Sequence, residues 1–209
     1  LMSEDEPGGG IIHPEDNECG EQIEQCLSDP EVQAAIALIQ DHCYGPGGGA
    51  PPVIGRVYCS DCTRCGSGAA GCAIVRCNGD DRGIDIRICN STDDFCLTLA
   101  HELVHLSQYC EYGLFTVDDC NVFWGDYRNR YHAMCREYEA YLASGECDED
   151  PATGLPDCCE LACASARRRW QGCYDDCIDC CQNSGSACCS AGRNVCLDAG
   201  QDPCGGGAP

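Results

Sequence analysis

The sequence predicts an α+β fold: a short antiparallel sheet followed by two helices, cross-linked by disulfides and extended by a cysteine-dense C-terminal appendage. Three observations carry this expectation. Cysteine supplies 25 of 209 residues, far above the level that marks a disulfide scaffold. In "RGIDIRIC", Ile84, Ile86 and Ile88 fall on one face and Asp85 and Arg87 on the other, the period of a half-buried strand. The stretches "STDDFCLTLAHELVHLSQYC" and "RYHAMCREYEAYLASGEC" carry apolar residues at helical spacing.

Taken in order, residues 1–52 read as an acidic N-terminal arm with one helix and a Gly/Pro linker. Ser28 suits an N-cap, Glu31 completes a capping box and Pro30 falls in the first turn. Val32, Ala35, Ile36 and Ile39 then predict a helix over about 29–42, which "GPGGGAPP" cannot continue. Residues 53–147 form the core. "VIGRVYC", "GCAIVRC" and "RGIDIRIC" are its expected strands, with "NGDD" as a hairpin turn. Ser91 with Asp94 forms a second capping box, and acids fill the first turn of the helix that follows. The helix after it is expected to stop near Gly145. Residues 148–209 are the appendage. "DEDPATGLPD" serves as a hinge, and eleven cysteines lie between positions 158 and 204.

So many thiols imply an oxidising, extracellular compartment. The adjacent pairs Cys158-Cys159, Cys180-Cys181 and Cys188-Cys189 favour disulfides over metal clusters. "CxxCxxC" at Cys59, Cys62 and Cys65 has a zinc-knuckle spacing, but no histidine follows suitably. An odd total of 25 leaves at least one cysteine without a partner in its own chain. Self-association, covalent or not, is therefore an expectation. The formal charge of −23, with no lysine, excludes nucleic acid and anionic membranes as natural partners. No apolar run reaches membrane-spanning length. "NST" makes Asn90 a glycosylation acceptor by pattern.

Within "LAHELVHLSQYC", His101, Glu102 and His105 form H-E-x-x-H. On a helix, residues four apart stand about 40° apart around the axis. His101 and His105 can thus present two imidazoles to one ion, and Glu102 can reach a water on it. That is the donor pattern of a zinc hydrolase, in which the glutamate takes the proton of the attacking water. Leu99, Leu103, Val104 and Leu106 flank the motif as core contacts.

Zinc needs a third protein ligand. The candidates are His132, Glu137 and Glu139. Glu137 and Glu139 stand about 200° apart on a helix, so only one can face the ion. Ala140 lies near the Glu137 face and permits close helix approach, which selects Glu137 and leaves Glu139 as the alternative. His132 and Tyr131 are candidates to contact substrate or a developing oxyanion, as are Tyr127 and Tyr138.

This arrangement resembles the gluzincin group of zinc metallopeptidases, with H-E-x-x-H on one helix and E-x-x-A on the next. It is most similar to the mitochondrial metalloproteases that help assemble ATP synthase. The matching letters are Cys89, Leu99, His101, Glu102, Leu103, His105, Cys135, Glu137, Ala140, Ser144, Gly145, Glu146 and Cys147. The likeness covers roughly residues 75 to 147. It implies a small zincin-like core, His101, His105 and Glu137 as ligands, and Glu102 as catalytic base. The acidic arm, the additional cysteines and the appendage depart from it, so no mitochondrial role is implied. A bridge between Cys110 and Cys135, which flank the two helices, is a further expectation.

Two functions follow. One is a secreted zinc metalloendopeptidase acting on peptide or protein substrates. The other is an extracellular structural or assembly protein, filament-forming in one version, built on an active or retired metallopeptidase fold.

Overall fold

The computed structural model describes residues 19–44, 53–60, 65, 69–78, 81–89, 92–111, 133–148 and 151–166. The chain divides into two compact units, Leu1–Thr116 and Val117–Pro209. It is an α+β protein with one three-stranded sheet among the described residues.

In the first unit, α1 (Gly20–Cys26) and α2 (Pro30–Tyr44) precede β1 (Val53–Ser60), β2 (Gly71–Asn78), β3 (Asp81–Cys89) and α3 (Phe95–Glu111). All three expected strands are present. The strand order is β1-β3-β2. β2 and β3 pair antiparallel, and Asn78 opposite Asp81 leaves two residues to turn the chain, as "NGDD" predicts. The sheet is mixed rather than antiparallel, because β1 pairs parallel to β3. Each strand's own pattern fixes which face is buried. It does not fix the direction of its neighbour, and β1 and β3 are separated in sequence by β2.

The alternation in β3 does what its spacing predicts. Ile84, Ile86 and Ile88 are fully buried, and Val57 of β1 joins them. Each such side chain contributes about 1.5–3 kcal/mol relative to an exposed one. On the other face, the Arg87 guanidinium lies over the Tyr58 ring, 5.0 Å from its centroid.

Helix α3 packs against β2 and β3 and against α2. Every residue from Thr98 to Tyr109 is buried, and the buried set includes the polar side chains of Thr98, His101, Glu102, His105, Ser107 and Gln108, which must find partners inside the fold. From α2, Val32, Ala35, Ile39 and Cys43 form the buried stripe; Ile36 is only half-buried. The expected caps are shifted. Asp29, not Ser28, caps α2, accepting from the backbone N–H of Glu31 at 3.1 Å. This places Pro30 at the first helical position, where its missing N–H costs nothing. Asp94 caps α3, accepting from Cys96 at 3.1 Å and Leu97 at 3.2 Å. The first turn itself holds no acid; Asp93 and Asp94 stand before it, and Ser91 lies outside the described residues.

Disulfides fasten these elements. Cys19–Cys59 ties the start of α1 to β1, Cys26–Cys96 ties the end of α1 to the first turn of α3, and Cys43–Cys110 ties the last turns of α2 and α3. The Cα separations are 5.7, 5.2 and 5.0 Å, within the normal range. The expected Cys110–Cys135 bridge is therefore wrong, since Cys110 is taken by Cys43. Cys59 and Cys65, from the zinc-knuckle spacing, are also consumed, the latter by Cys72. Helix α1 was not among the expected elements: seven residues with two acids give no long apolar period, and its burial rests on Ile23 and Cys26.

In the second unit, α4 (Ala133–Ser144) ends as expected at Gly145, whose φ is 74°. The N–H of Glu146 donates to the Tyr141 carbonyl at 3.1 Å and that of Gly145 to Leu142 at 3.2 Å, a Schellman closure that favours glycine. A 3-10 turn (Pro151–Thr153) leads to α5 (Cys158–Ala166). Asp157 caps α5, accepting from Cys159 at 2.7 Å. Cys147–Cys158 joins the exit of α4 to the entry of α5, and Tyr141 and Ser165 share a hydroxyl hydrogen bond. Every cysteine whose side chain is described is disulfide-bonded. These bridges fit an oxidising compartment. No described helix is long and apolar enough to cross a membrane.

Candidate metal centre

The site grows from α3. Asp94 fixes where the helix starts, and Thr98 secures its first turn by donating its hydroxyl hydrogen to the Asp94 carbonyl at 2.8 Å. From that start, helical spacing sets His101 and His105 one turn apart. Their ring centroids are 4.8 Å apart and their planes meet at 82°. Edge-to-face rings can direct a nitrogen each toward one point, as two ligands to one ion must.

All three motif side chains are buried: His101, Glu102 and His105 are 7%, 5% and 9% exposed. A charged or polar group so enclosed needs partners. For His105 one is explicit. Its Nδ1 lies 3.0 Å from Oε1 of Gln108, itself 2% exposed.

Glu102 faces the sheet where β2 begins. A β-carbon built on Gly71 would lie 3.0 Å from the Glu102 carboxylate, 2.9 Å from the Thr98 methyl and 2.9 Å from the Arg87 carbonyl oxygen. Thr98 and Glu102, four apart on α3, thus meet β2 at a residue with no side chain. The strand approaches the helix here as closely as backbone permits.

Among the described residues, His101, His105 and Glu137 form a cluster able to hold a metal ion; their ligand atoms all lie within 4.8 Å of one another. Glu137 is half-buried on α4. Glu139 is not in that cluster. In α4 the buried positions include Arg136, Tyr138, Ala140 and Ser144. His132, Tyr131 and Tyr127 lie outside the described residues, as does Asn90.

No protein-family model, curated protein or solved structure matches the chain. What can be said of the site rests on its own chemistry. Two imidazoles and one carboxylate are a donor set suited to a transition metal such as zinc. Calcium and magnesium favour more oxygen donors. Two residues of this region escape sequence reasoning. Gln108 could have been found by its spacing, three after the second histidine on the same helix. Gly71 gives no sign by itself, because its role depends on which helix the strand meets.

Proposed function

We propose that this protein is a secreted zinc-dependent metalloendopeptidase, with His101, His105 and Glu137 holding the ion and Glu102 serving as general base. The observation that carries the reading is the His101, His105 and Glu137 cluster, joined to a glutamate adjacent to the first histidine on the same helix. Its donor set is that of hydrolytic zinc sites with three protein ligands and one open position. The resemblance to gluzincins, and to the ATP-synthase-assembly metalloproteases, over roughly residues 75 to 147 is carried in part by these same four residues and points to the same roles.

Bound there, zinc would supply Lewis acidity to a water and to the carbonyl under attack. The chain's own residues do the rest. His101 and His105 would hold the ion through imidazole nitrogens and Glu137 through its carboxylate. Glu102 accepts the proton of the attacking water and passes it to the departing amine. His132 and Tyr131 are proposed to meet the carbonyl oxygen as it gains charge. Substrates are peptides or proteins.

The test is metal content and cleavage together. Purified protein should carry about one zinc per chain, and Glu102→Gln should keep the zinc while losing peptide cleavage. Absence of zinc, or a Glu102→Gln variant as active as the parent, would overturn the assignment.

A second reading, an extracellular structural or assembly protein on an active or retired metallopeptidase fold, is favoured by the odd count of 25 cysteines. Covalent multimers on non-reducing gels, or filaments by electron microscopy, with no cleavage of any peptide, would favour it.

A further inference from the structure

We propose that Gln108 is a positioning residue that holds His105 in the tautomer with hydrogen on Nδ1, leaving the Nε2 lone pair for a metal ion. The inference rests on the metal-site reading for its purpose, but not for the bond itself. Nδ1 of His105 and Oε1 of Gln108 are 3.0 Å apart. An amide oxygen can only accept, so the imidazole nitrogen must donate. A neutral ring has one N–H; if Nδ1 bears it, Nε2 is the donor atom left for an ion.

The surroundings make this bond count. Gln108 is 2% exposed and His105 9%, so water competes little for either end. Leu99, Leu103 and Leu106 of the same helix are fully buried. A glutamine at such a position is costly unless its amide is used. The spacing is also right: residues three apart on a helix are neighbours, so the helix that carries the histidine also orients it. Metal-ligating histidines commonly need such an outer partner, and its loss weakens metal affinity about 10–100-fold. Here the acceptor is uncharged, so it orients the ring without adding a negative charge to the site. If the amide were turned round, its NH2 would donate to Nδ1, the hydrogen would move to Nε2, and the ring could not ligate.

The experiment has two readouts. In metal-free, 15N-labelled protein, two-bond 1H–15N spectra report the tautomer of each histidine. His105 should show hydrogen on Nδ1, and Gln108→Met, close in shape but lacking the amide oxygen, should shift it toward the Nε2–H form. Zinc affinity by competition with a chromophoric chelator should fall about 10–100-fold in Gln108→Met. Gln108→Glu, which keeps an acceptor, should restore it to within a few-fold of the parent. Thermal melts of each variant identify any that fail to fold; the parent spectrum decides the tautomer even then. A parent His105 with hydrogen on Nε2, or a folded Gln108→Met with parental zinc affinity, overturns the proposal. A parent with the Nδ1–H tautomer but no zinc affinity overturns the metal-site reading instead, and with it the purpose assigned to the bond.

Discussion

Gly71 stands against Glu102 with no room for a side chain: a β-carbon there would be 3.0 Å from the carboxylate. Two of the three near atoms can shift, but the Arg87 carbonyl oxygen, at 2.9 Å, is backbone of the neighbouring strand. Gly71→Ala should therefore cost about 1–3 kcal/mol, as overpacking does, read as a lowered denaturant midpoint. Displacement of Glu102 should also reduce peptide cleavage more than it reduces zinc affinity. A fully stable, fully active alanine variant would show that β2 is not held so tightly to α3.

Glu137 and Glu139 are separated by one residue, but Glu137 alone of the two is in the histidine cluster. Glu137→Ala should weaken zinc binding at least tenfold, whereas Glu139→Ala should leave it within twofold. The opposite ranking in a chelator competition would exchange the two assignments.

Capping offers a separation at the start of the motif helix. Asp94→Ala removes the side chain that accepts from Cys96 and Leu97, at a cost of about 1 kcal/mol. Asp93→Ala, at an exposed position beside the cap, should cost less than half of that. Chemical denaturation of the two variants with disulfides intact measures both.

The bridge between Cys43 and Cys110 spans 67 residues of sequence. Chain entropy sets an upper value of about 4 kcal/mol for such a loop. The overlapping Cys26–Cys96 bridge already restricts the unfolded chain, so replacing both Cys43 and Cys110 with alanine should cost about 2–4 kcal/mol. Calorimetry against the parent checks this.

Local rules made much of the first unit legible. Ile84, Ile86 and Ile88 declare a strand because alternation on a pleated backbone leaves one face to bury. H-E-x-x-H declares two neighbouring imidazoles because a helix repeats every 3.6 residues. The choice between Ser28 and Asp29 as cap turned on one position; Pro30 at the first helical position was the deciding clue. Pairing was less legible. The parallel partnership of β1 with β3, and of Cys110 with Cys43 rather than Cys135, depends on elements far apart in sequence, and no single segment records it. The partnership of Gln108 with His105 was local, and a search for polar residues on the buried face of α3 would have exposed it.

Cys96 and Cys110 lie in the first and last turns of α3, and His101 and His105 lie between them. Cys96 is bonded to the end of α1 and Cys110 to the last turn of α2, so the histidine-bearing segment is pinned like a rung at each end. In small zinc domains the ion and the fold come and go together. Here the scaffold is closed by covalent bonds that a chelator does not touch. On the proposed reading, the two imidazoles would keep their places on α3 whether or not an ion is bound.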